Sequence, residues 1–170
     1  MSKKRYSLVF GIFFGIFLFS YSMGATYKMS DDQTRDFLKQ FSQTTQGIGS
    51  IGIFVHNAAV AIPMFVPVAG IGWGVYTAGS TGASFSALAA TNPDLANVSP
   101  LAFLILAPFG IMELVAYSIG MSRSFHFIWA IIKKNPLKKE IRPTLIELSI
   151  VASLLLVAGV IESIMINNHI

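Results

Sequence analysis

Between Ile48 and Ala90 the chain carries no Asp, Glu, Lys or Arg. A second uncharged run fills residues 7–24. Two more apolar runs, 101–121 and 144–166, hold only isolated glutamates. A helix needs about 20 apolar residues to cross the hydrocarbon core of a bilayer. A soluble domain has no use for so many such runs. Composition agrees, with 54% hydrophobic residues, only 12% charged and a mean hydropathy of +0.65. Soluble domains carry roughly 25% charged residues. The expectation is an all-α, polytopic transmembrane helical bundle of a single domain, located as a multi-pass protein of the cell membrane. The sequence has no cysteine, which excludes disulfides, thiolate metal sites and cysteine nucleophiles.

The runs organise the chain. After the basic start, 7–24 reads as a first span. A cleaved signal peptide has a similar form, but the run is long and rich in phenylalanine, which favours a retained helix. Gly11 and Gly15 form a GxxxG face suited to close helix approach. Residues 25–47 are polar. Ser30 with Gln33 forms a capping box, and Phe37, Leu38 and Phe41 share a helical face, so an amphipathic surface helix is expected. Residues 48–69 form a second span and 70–90 a third, joined by a short uncharged link as a hairpin or a partly re-entrant pair. Gly74, Ala78 and Gly82 recur every four residues and make a small-residue packing stripe. Residues 90–100 read as a loop and 101–121 as the fourth span. A basic cytoplasmic segment follows at 122–143, and 144–166 is the last span. The tail beyond is polar.

Basic residues orient the bundle. With a cytoplasmic N-terminus, five spans place Lys3, Lys4, Arg5, Arg123, Lys133, Lys134, Lys138, Lys139 and Arg142 inside, nine of the 12 Lys and Arg. Lys28, Arg35 and Lys39 remain outside. This explains the basic charge by topology and by contact of 122–143 with anionic lipid headgroups, not by nucleic-acid binding.

Three glutamates lie within or at the ends of spans. A charge at the centre of a membrane helix costs about 3 kcal/mol on insertion scales, so such groups face the bundle, find partners or stay protonated. Glu147, near the cytoplasmic end of the last span, can reach water or pair with Arg142 or a nearby lysine. Glu162 lies near the outer end, beside Ala158 and Gly159. At 100° per residue the two stand about 60° apart around one helix, but at opposite surfaces. Glu113 is the deepest. Pro108 removes a backbone hydrogen bond and Gly110 loosens the turn, so the fourth span is expected to kink or break there. A protonated Glu113, or His56 and Asn57 across the bundle, could serve the freed carbonyls. Glu113 then either braces a broken helix or sits beside an ion or substrate path. His56 reads as an interhelical hydrogen-bonder, and His126 and His169 are predicted near opposite surfaces. No metal site, cofactor motif, nucleophile elbow, phosphate loop or aqueous carboxylate pair occurs, so no enzymatic role is expected.

The stretches HNAAVAIPMF, GIGWGVYTAGSTGA, APFGIMELVA and AGVIES together resemble the stage II sporulation protein M family, over roughly residues 48–166. The family pattern has an early Asn, then small residues, then proline-histidine-glycine-x-x-glutamate, then alanine-x-x-isoleucine-glutamate. Here these fall on Asn57, on Gly79 and Gly82, on Pro108, Gly110, Glu113 and Ala116, and on Ala158, Ile161 and Glu162. The family's histidine is Phe109, so a proton-transfer or ligand role at that position is missing. The resemblance implies a polytopic helical membrane protein. In spore formers it works in a complex with peptidoglycan-degrading partners, as an anchor or scaffold. Relatives also occur in bacteria and archaea that never sporulate.

Three functions are therefore expected, in order. The first is a non-enzymatic scaffold, anchor or accessory subunit that binds other membrane proteins or itself. The second is a small oligomeric transporter or channel component using Glu113 and His56, with Glu162 near an entrance. The third is a structural subunit of a membrane-bound enzyme complex. Tolerance of Glu113→Gln separates the first from the second.

Overall fold

The computed structural model describes residues 3–45 and 47–168. His169 lies outside them. Among the described residues the structure is helical, without strands. Its elements are α1 (Lys3–Ala25), α2 (Asp31–Thr45), α3 (Ser50–Ala61) continued by a 3-10 turn (Ile62–Phe65), α4 (Ala69–Thr91), the short α5 (Pro93–Ala96), α6 (Pro100–Leu106), α7 (Pro108–Ile132) and α8 (Lys138–Asn168). By length and composition α1 and α8 can cross a membrane, and α6 with α7 makes a third candidate if the bent pair is one span. The α3 segment with its 3-10 turn, Ser50–Phe65, is apolar but shorter.

Helix α1 buries Phe13, Phe17 and Tyr21, one face at four-residue spacing. Phe13 meets Phe125 with ring centroids 5.9 Å apart, and Phe17 stacks on Tyr117 at 5.6 Å. The α1–α4 contact is closer still. A Cβ on Gly24 would stand 1.9 Å from the Gly79 carbonyl oxygen, and one on Gly82 would stand 2.0 Å from that of Tyr21. Only glycine permits backbones to approach so closely. Gly74 seats Met121 of α7, and Ala78 is fully buried. Gly11 and Gly15, expected to form a packing face, have no neighbour within 4 Å of a Cβ added there. The aromatic face at Phe13, Phe17 and Tyr21 takes the bundle side of α1 and turns those two glycines outward.

The contacts fix chain directions. Asn57 meets Glu113, Gly120 lies against Met64 and Phe65, and Ser124 donates to the Val66 carbonyl at 2.7 Å, so α3 runs parallel to α7. Arg123 meets Glu147 across the α7–α8 hairpin, which is antiparallel. Helices α1, α4 and α8 rise where α3 and α7 descend. Fully buried Met64, Leu114, Met121, Leu155 and Ala158 fill the space between them.

Two turns use left-handed backbone at non-glycine residues. Val68 (φ 66°, ψ −61°) forms a tight turn in which Ala69 N–H donates to the Pro67 carbonyl, reversing the chain into α4. Lys134 (φ 54°) ends α7. Lys134 N–H donates to Ile131 and Asn135 N–H to Ala130, the paired bonds of a Schellman cap, and Pro136 follows.

The predicted break is present. Helices α6 and α7 meet at 91°, with Ala107 between them. Pro108 opens α7 as a first-turn residue, where its missing N–H costs nothing. Gly110 lets α6 fold back, since a Cβ there would lie 2.4 Å from the Leu104 carbonyl oxygen. Two helix boundaries differ from those expected. Residues 122–132 continue α7, because nothing in the sequence stops that helix before the Lys134 cap. Helix α8 likewise starts at Lys138 and runs through Pro143. The loop at 90–100 contains α5, capped by the Asn92 side chain, which accepts from Asp94 N–H at 3.0 Å.

Candidate functional site

Two polar clusters occupy different levels of the bundle. Glu113 and Arg123, one from each, are about 15 Å apart along α7 at 1.5 Å per residue.

The first cluster is built on the α6–α7 break. With Pro108 starting α7 and Gly110 accepting α6, Glu113 falls in the second turn of α7, partly buried and facing α3. The buried Asn57 donates its side-chain amide to Glu113 Oε1 at 2.6 Å. Buried Tyr117 lies one turn further along α7. Gly159 lets α8 approach α3, with the Ser50 carbonyl 3.0 Å from where a Cβ would be. Asn57 and Glu113 are thus brought together, while Glu162 stands partly buried on α8. His56 is corrected: it is exposed and takes no part. Its neighbour Asn57 occupies the inward face of α3, and the next residue on a helix points about 100° away.

The second cluster was not foreseen. Arg123 is fully buried. Its Nε and Nη2 donate to the two oxygens of Glu147 at 2.5 and 2.7 Å, and its Nη1 donates to Glu140 at 2.8 Å. Such a fork matches the planar guanidinium to a carboxylate. Tyr6 of α1 donates its hydroxyl to Glu147 at 2.7 Å, stacks on His126 with centroids 4.1 Å apart, and lies beneath Arg123 at 5.3 Å. Ser122 approaches His126 Nε2 at 3.4 Å. Glu147 therefore pairs with Arg123 across the hairpin, not with Arg142 or a lysine of its own helix. The usable signal was in SRSFHF: if α7 runs on, Arg123 and His126 share one face at three-residue spacing.

Chemically, the first cluster can exchange a proton or brace a broken helix. The second can neutralise a buried charge and pin three helices together. Among the described residues, no group of three or more His, Cys, Asp or Glu could hold a metal ion. Two surface clefts lie elsewhere, one along α2 by Gln33 and Phe37 and one between Pro63 and Trp73.

Long apolar helices around buried interhelical polar pairs define a helical membrane protein. The family model of stage II sporulation protein M matches residues 6–165, nearly the whole sequence, and the chain belongs to that family. No curated protein and no solved structure matches it.

Proposed function

We propose that the chain is a five-pass, non-enzymatic subunit that serves as a scaffold or anchor in a larger membrane complex, with its N-terminus cytoplasmic. One observation carries this reading. Among the described residues, no buried side-chain nitrogen or oxygen lacks a hydrogen-bond partner. A site built for a substrate presents polar groups that the substrate completes. Here Asn57 engages Glu113, and Arg123 engages Glu140 and Glu147, which is how polar groups act when they hold helices together.

Five passes are supported by the alternating directions of α1, α3, α4, α7 and α8, and by the outward apolar side chains of α3 and α4, among them Ile51, Val55, Val75 and Tyr76. The N-terminal orientation is supported by the basic residues gathered at one end. Helix α1 supplies Tyr6 to one cluster and three aromatics to the core, so it works as a part of the bundle.

A second reading keeps the first cluster as a proton or cation path. What favours it is a titratable carboxylate, Glu113, placed in the second turn after the α6–α7 break. Glu113→Gln tests between the two. Glutamine still accepts the Asn57 hydrogen bond but cannot titrate. As a brace, the variant is expected to keep its melting temperature and to match wild type in a proteoliposome flux assay. Loss of a proton or cation flux seen with the wild type would overturn the scaffold reading.

A further inference from the structure

We infer that the end of the bundle carrying the α7–α8 turn is a docking surface for the phosphate headgroups of anionic lipids. Lys4 and Arg5 open α1, Lys133 and Lys134 close α7, and Lys138, Lys139 and Arg142 open α8. All seven are exposed. They converge because Tyr6 ties the start of α1 to Glu147 and His126. Arg5 and Lys133 both approach the ring of Trp129, at 6.0 and 5.1 Å.

This surface is not neutralised from within. Its two nearby acids, Glu140 and Glu147, turn inward to buried Arg123. Among the described residues none of the seven exposed cations makes an ion pair. The interior pair thus withdraws negative charge from the rim and leaves a dense positive field. Lys134 adds an independent indication. It holds a left-handed backbone slot where glycine is less strained, and strain kept at a charged residue points to a use for that charge.

The apolar residues among the cations select the partner. Ile131, Ile132, Leu137 and Ile141 are exposed beside them, and Trp129 is half-buried. Lysine and arginine stems extend along apolar surface while their heads reach phosphate, and tryptophan favours the headgroup level. An acidic soluble protein would leave these isoleucines and Leu137 without apolar cover. This inference rests on the membrane placement and is independent of the scaffold role.

The test uses the full chain in nanodiscs of phosphatidylcholine containing phosphatidylglycerol, with bound lipid counted by native mass spectrometry. Phosphatidylglycerol is expected to be enriched around the wild type and the enrichment to fall as salt rises. Each basic residue near an anionic surface contributes about fivefold, so Lys133→Gln, Lys134→Gln, Lys138→Gln and Lys139→Gln together should reduce the enrichment at least about tenfold. Lys28→Gln with Lys39→Gln, in the α1–α2 region, should leave it unchanged. The salt titration of the wild type needs no substitution and stands if the quadruple variant fails to fold. Equal retention of the two lipids by the wild type would overturn the inference. So would enrichment that ignores salt, or capture of an acidic protein with no lipid preference.

Discussion

Arg123 and Glu113 pose the same residue-scale question with different answers. A buried guanidinium is tolerable only with its carboxylates in place, and removing one side of such a pair leaves an uncompensated charge. Arg123→Met is therefore expected to cost about 3–5 kcal/mol, read as a lowered thermal midpoint in mild detergent. Adding Glu140→Gln and Glu147→Gln to that variant should recover most of the loss, because the stranded carboxylates are gone. Glu113→Ala strands the Asn57 amide and should cost about 1–3 kcal/mol, while Glu113→Gln stays near wild type. The sequence pointed to Glu113 because a carboxylate in an apolar run beside Pro108 and Gly110 stands out. Arg123 did not, because it is followed by Lys133, Lys134 and other basic residues that do face water, and composition alone cannot tell a buried cation from its exposed neighbours.

Among elements, the glycines separate into two kinds. Gly82→Val or Gly110→Val drives a side chain into a backbone carbonyl and should prevent a folded, monodisperse protein in size-exclusion chromatography. Gly11→Leu with Gly15→Leu faces open space and should leave elution and melting unchanged. Lys134→Gly relieves the left-handed turn and should stabilise the chain by about 1 kcal/mol, at the cost of one rim charge. The break at Pro108 was legible because proline lacks an N–H. The stripe at Gly74, Ala78 and Gly82 was legible because its period matches a helix turn. The end of α7 was not, because Lys134 is a residue seldom used for a left-handed cap and gave no stop signal. The outward turn of Gly11 and Gly15 was equally hidden. GxxxG marks a face that can pack, and which face packs was decided by Phe13, Phe17 and Tyr21.

For the whole molecule, the lack of cysteine makes topology directly measurable. Single cysteines at Leu137 and Leu95 should react with an impermeant reagent from opposite sides of the membrane, Leu137 only from the cytoplasmic side. Labelling of both from one side would remove the five-pass arrangement. The scaffold role itself is tested most directly by affinity capture of the native protein from its own membranes in mild detergent, followed by mass spectrometry. A stoichiometric membrane-protein partner, recovered equally by wild type and Glu113→Gln, is the expected result. Recovery of only the chain itself, with no partner under conditions that preserve its fold, would contradict it.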